Sequence, residues 1–161
     1  METTWQTANW IARARQPGSH EETARLLTEI LGAPEETARE IEELARAKDC
    51  RSVFRRAAVD RYVELRKDGA ENLLWELTNF EEEGDEEMRV LAYLWLCSLQ
   101  TAKATTLRFR GAVKTRRAVR PPRMFRVSTS DWRQRAAKDP SPRVQWLASL
   151  GIERGLSGLS S

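Results

Sequence analysis

The chain reads as a mainly α-helical protein: a compact helical bundle, or a short stack of helix pairs, with one inserted basic β-hairpin. Three observations predict this. Apolar residues recur at helical spacing over most of the chain, and helix start and stop signals bracket these runs. The apolar period changes from 3.6 to 2 in a single place, between residues 105 and 127. With 161 residues and 40% apolar content, the chain is long enough for one domain with its own core.

The first helix is expected over Thr4 to Arg15, with Thr3 and Gln6 in a capping-box pattern and Pro17-Gly18 as its stop. Ser19 followed by Glu22 opens a second helix, whose face carries Leu26, Leu27, Ile30 and Leu31 before Gly32. Pro34 begins a third, with Glu35 and Glu36 at the end of the dipole that favours acids and a narrow stripe of Ala38, Ile41, Leu44 and Ala45. A fourth runs from about Arg51 to Lys67, with Phe54, Ala58, Tyr62 and Leu65 in register and Asp68-Gly69 after it. Its arginines, Arg51, Arg55, Arg56, Arg61 and Arg66, either extend a basic surface or pair with acids of neighbouring helices.

A fifth helix is expected over Glu71 to Phe80. The acid run Glu81 to Glu87 then reads as a solvated turn whose charges suit the start of the next helix. Consecutive carboxylates point in different directions and no histidine lies near them, so no metal site is expected there. The sixth helix, Glu86 to Thr101, is apolar almost all round and is therefore central. Beyond it, Thr105 to Arg110 and Arg123 to Ser128 alternate with period two, which predicts a hairpin with a long basic tip. Ser130-Asp131 caps a short helix to about Lys138. Ser141-Pro142 opens a last one, with Val144, Trp146, Leu147 and Leu150, ending at Gly151. The domain boundaries this implies are an acidic helical core over 1–104, the basic hairpin over 105–127, short C-terminal helices over 128–152 and a flexible tail over 153–161.

Charge is the strongest functional signal. Residues 1–100 carry 21 acidic and 13 basic side chains, and residues 101–161 carry 3 and 14, so net charges of −8 and +11 share one chain. Nine cations fall between Lys103 and Arg126 with no acid among them. Like charges this dense repel, and a polyanion is the usual partner that offsets them. The two oppositely charged halves also suit head-to-tail attraction between copies.

Catalysis has little to build on. His20 is the sole histidine, at an exposed helix start, so no Ser-His-Asp or Cys-His constellation can form without it, and no phosphate-cradling glycine loop is present. Cys50 and Cys97 fit no metal spacing and read as free thiols. No apolar run approaches the about 20 residues of a membrane span, and Met1 to Trp5 show no secretion signal, so a cytoplasmic, non-membrane protein without cofactor is expected.

A repeat-like pattern runs through the helices. Asp139 to Gly151 (DPSPRVQWLASLG) resembles the second helix of a HEAT-type repeat, a family of stacked helix pairs that bind proteins or nucleic acid. Gly84 to Leu94 resembles it in register, Asp85 with Asp139 and Arg89-Val90 with Arg143-Val144, and Asp49 to Ala58 is a looser third copy. A small helical protein with a basic face is also similar in architecture to the small subunits of CRISPR ribonucleoprotein complexes, which contact nucleic-acid backbone non-specifically.

Together these readings predict a non-catalytic nucleic-acid-binding small subunit of a larger assembly, DNA or RNA, with other subunits or copies of itself as protein partners. The alternative is a helical adaptor that binds an acidic protein surface through the same patch. The expected phosphate contacts are Lys103, Arg108, Arg110, Lys114, Arg116, Arg117, Arg120, Arg123, Arg126 and Arg133. Trp132 and Phe125 are available either to pack or to stack on a base.

Overall fold

The computed structural model describes residues 9–114 and 131–157. Every regular element among them is helical. In chain order these are α1 (Trp10–Arg15), α2 (His20–Leu31), α3 (Ala38–Arg46), α4 (Ser52–Arg66), α5 (Glu71–Leu77), α6 (Glu86–Lys114), α7 (Asp131–Ala137) and α8 (Pro142–Ser157). Short 3₁₀ turns, Glu35–Thr37 and Lys67–Ala70, lead into α3 and α5. No helix among the described residues is long and apolar enough to cross a membrane.

Local chemistry sets several boundaries. At Ser19 the side-chain oxygen accepts from the Glu22 backbone N–H at 3.2 Å, and Glu22 Oε2 accepts from the Ser19 N–H at 3.1 Å, a complete capping box. The α4 helix stops at Lys67, whose φ of 49° and ψ of −118° lie where an L residue rarely sits. Sequence placed that turn at Asp68-Gly69, yet neither residue takes a positive φ.

Two helices organise the core. Helix α4 packs on α2, α3 and α6, and α6 packs on α4, α5, α7 and α8. Phe54, Val59 and Val63 of α4 and Met88, Tyr93 and Leu96 of α6 are fully buried, with Ile30, Ile41, Leu44, Leu73, Leu74 and Val144 around them. The central position expected of the sixth helix follows from its apolar surround.

The first strand of the expected hairpin does not form. Thr105 to Arg110 lie on α6, which runs unbroken from Glu86 to Lys114, and no strand occurs among the described residues. Alternation over six residues is a weak signal beside an established helix. Extending a helix that already has sixteen residues behind it adds a hydrogen bond per residue without a new nucleation cost. The second expected strand, Arg123 to Ser128, and the tip lie outside the described residues. Likewise α8 continues through Gly151 to Ser157, where a stop was expected. A helical glycine costs only about 1 kcal/mol relative to alanine, too little to end a helix.

Candidate nucleic-acid interface

Helix α6 positions the start of the basic stretch. Its 29 residues span about 43 Å at 1.5 Å per residue. Glu86 to Gln100 sit against the other helices, and Lys103, Arg108, Arg110 and Lys114 fall on the continuation. Register places Lys103, Arg110 and Lys114, spaced i, i+7 and i+11, in one line along that helix.

Lys103 is partly neutralised from within the chain. Its Nζ donates to Glu71 Oε1 on α5 and lies 3.7 Å from Asp68 Oδ1. The Glu71 hydrogen bond holds the Lys103 ammonium above the usual lysine range. Arg116, Arg117, Arg120, Arg123, Arg126 and Phe125 lie outside the described residues.

The two remaining site candidates sit on α7. Trp132 is only 4% exposed, and its ring packs on Tyr93 with centroids 6.3 Å apart. No open face is left for a base to stack on. Arg133 lies over the same ring, 5.5 Å from its centroid. Further along, Arg135 lies 5.6 Å from the Trp75 ring centroid, and Arg143 Nη1 donates to Glu87 Oε1 with Glu86 at 4.0 Å. Part of the basic C-terminal half is thus docked on the acidic half of the same molecule.

The arginines of the fourth helix mostly pair. Arg55 Nη2 donates to Glu83 Oε2 at 2.5 Å, Arg61 Nη1 to Glu64 Oε2 at 3.0 Å, Arg66 lies 3.9 Å from Glu35, and Arg56 lies 4.0 Å from Glu87. An extended basic surface along α4 is therefore not formed. Arg51 is the exception, with no carboxylate partner among the described residues.

The acid run is the expected turn, with Glu81 and Glu82 exposed and Glu86 and Glu87 in the first turn of α6, except at Glu83. Glu83 is 3% exposed and Arg55 2%, and Arg55 Nε also donates to the Ala45 carbonyl at 3.1 Å. The Glu83 carbonyl in turn accepts from Arg89 Nη1 at 2.9 Å, and Arg89 grips Asp139 with two bonds. This ladder ties α3 and α4 to α6 and to the turn before α8. Nothing in the local sequence separates Glu83 from its neighbours, because the signal is a partner 28 residues away. Asp85 accepts from the Glu87 N–H at 3.0 Å and from Ser52 Oγ, and Glu86 and Glu87 pair with Arg143. Among the described residues no group of three or more His, Cys, Asp or Glu side chains converges as a metal would require. Both thiols are free, and burial pushes that of Cys50 up.

One apolar feature escaped the sequence. Leu94 is 50% and Trp146 59% exposed, and they border a groove of about 300 Å³ whose wall includes Tyr93, Cys97, Trp132 and Leu147. Helical spacing marks both residues as apolar stripe members but does not say which side of the stripe is left uncovered.

No family model, curated protein or solved structure matches the chain. The functional reading therefore rests on the residues themselves.

Proposed function

We propose that this protein is a non-catalytic nucleic-acid-binding subunit of a larger nucleoprotein assembly, and that it contacts the phosphate backbone through the stretch from Arg108 to Arg126. One observation carries the reading. Between Glu87 and Asp131 there is no acid, and Lys103 to Arg126 supply nine cations, the first of which, Lys103, pairs with Glu71 and Asp68. Eight cations in 19 residues make a density that a polyanion neutralises and that few neutral partners do.

The start of the stretch supports the assignment, since Arg108, Arg110 and Lys114 lie on α6, whose earlier turns pack in the core. Phosphate contacts carry no sequence information directly, so binding through them is expected to be sequence-tolerant. The internal pattern shared by Asp85 and Asp139 supports a repeat-like architecture of the HEAT kind. Both carboxylates accept the backbone N–H two residues on, at 3.0 and 2.8 Å, where a helix begins.

The test is a salt titration of binding to random oligonucleotides, single- and double-stranded. With all eight cations engaged, the slope of log affinity against log salt is expected near about −6 on a single strand and about −7 on duplex. Unrelated sequences of equal length should differ by less than about a hundredfold, on the order of 3 kcal/mol. Absence of binding at low salt, with retention of an acidic protein by the same stretch, would instead establish the adaptor reading.

A further inference from the structure

The unpaired arginine at the start of α4 belongs to a second charged feature. The Arg51 backbone N–H donates to the Ala14 carbonyl of α1 at 3.2 Å, and its Nη1 donates to Thr23 Oγ1 of α2 at 3.3 Å. Its guanidinium carbon stands 4.9 Å from the centroid of the buried Phe54 ring. Neutral groups therefore fix this cation in place and none of them cancels its charge. Arg25, two residues beyond Thr23 on α2, is exposed and makes no ion pair among the described residues, and Glu29 one turn on offsets its charge only at longer range. Arg13 differs, since both its terminal nitrogens are closed on Glu29, at 2.7 and 3.2 Å.

These three arginines, with Glu22, line a concavity of about 290 Å³ walled by the Gln16-Pro17-Gly18 turn. Its own carboxylate, Glu22, is folded back onto the Ser19 N–H. The first turn of α2 borders the space through Glu22 and Thr23, but its acids Glu21 and Glu22 and the bonds of the Glu22 and Thr23 N–H groups to Ser19 leave the arginines as the source of positive charge.

We propose that this concavity binds the phosphate group of a small phosphomonoester, with Arg51 and Arg25 as its charge partners. Arg51, with no carboxylate partner among the described residues, and Arg25, which shares only a longer-range attraction with Glu29, leave positive charge for the about −1.5 to −2 that a monoester carries at pH 7. Each planar fork offers paired donors to phosphate oxygens. Arg51 is already held by Phe54 and Thr23, so little side-chain freedom is lost on binding. The volume lies at the lower edge of small-molecule cavities, roughly 300 Å³ and upward, which leaves room for a compact organic group beside the phosphate.

The experiment is calorimetry and ³¹P line broadening on the full chain with inorganic phosphate and phenyl phosphate, at constant ionic strength set with chloride. Saturable 1:1 binding is expected, tighter for phenyl phosphate than for inorganic phosphate. Arg51→Gln and Arg25→Gln should each weaken it by at least about tenfold, the ~1.4 kcal/mol scale of one charged hydrogen bond. Arg25 is exposed and unpaired, so its variant folds even if the Arg51 variant does not. Arg39→Gln, at an arginine that is 86% exposed, pairs with Glu43 and does not line the concavity, should bind as the parent does. Replacement of Lys114, Arg116, Arg117 and Arg120 by Ala should also leave it unchanged, which separates this site from the basic stretch. Unsaturable binding, or an equal loss in Arg25→Gln and Arg39→Gln, would overturn the assignment.

Discussion

Arg89 and Asp139 meet across 50 residues of sequence through two parallel hydrogen bonds, Nε to Oδ2 at 2.8 Å and Nη2 to Oδ1 at 3.2 Å, with both side chains buried. The pair pins α6 to the turn that starts α8. Asp139→Ala leaves a buried guanidinium without its counter-charge, and the expected loss is about 3–5 kcal/mol. Joint replacement of both residues by leucine should recover part of that loss. It should not recover all, because the Ser141 N–H and the Glu83 carbonyl also lose a partner. Urea midpoints of the two singles and the double, compared as a cycle, check this.

Lys67 turns the chain with a φ of 49°. That conformation is costly for a side chain bearing Cβ and free for glycine. Lys67→Gly should therefore raise stability by about 0.5–1 kcal/mol, which thermal melting would register as an upward shift. A fall in melting temperature would show that the lysine side chain contributes more than its backbone costs.

Two tryptophans give opposite expectations. Trp132→Ala removes a buried ring and should cost about 3–5 kcal/mol. Trp146→Ala removes an exposed one and should stay within about 0.5 kcal/mol. Equal losses in denaturant unfolding would contradict their different burial.

Acid should weaken the α1–α2 contact first through Glu29. The hydrogen bond from Arg13 holds the Glu29 carboxyl below its usual 4.5, against the opposing effect of partial burial. A carboxyl lowered by folding stabilises the fold above its unfolded value and gives this up as pH falls through its folded value. The stability gap between parent and Glu29→Gln should thus be present at neutral pH and close as pH drops below 4.5. A gap that persists in strong acid would assign the effect to packing.

For the basic stretch, replacing Lys114, Arg116, Arg117 and Arg120 by Ala should weaken oligonucleotide binding alike for every sequence. If all four touch duplex phosphates, the salt slope should shrink by about 3 to 4 units. Lys103→Ala should change it far less, because Glu71 already holds that ammonium. An unchanged slope in the quadruple variant would remove the proposed interface.

Helix order and the capping box at Ser19 were legible because they depend on residues three or four apart. The partners of Arg55 and Arg89 were not, since Glu83 and Asp139 reach them only through the tertiary fold. The false strand at Thr105 to Arg110 came from reading a six-residue window without the helix behind it. Arg51 looked like any other cation of its helix. What sets it apart is that no carboxylate among the described residues reaches ion-pair distance of it, and that is a property of space and not of spacing.

The ladder from Arg55 through Glu83 and Arg89 to Asp139 also constrains ancestry and descent. Replacing one buried ion of a pair strands the other, while replacing both by apolar residues of similar volume is often neutral or better. A lineage can leave this arrangement only by crossing a single-substitution intermediate that is several kcal/mol less stable, on the order of half a typical domain's margin. These four positions should consequently change in pairs or not at all among descendants, and an Arg55 without Glu83 should appear only beside a new acid within its reach.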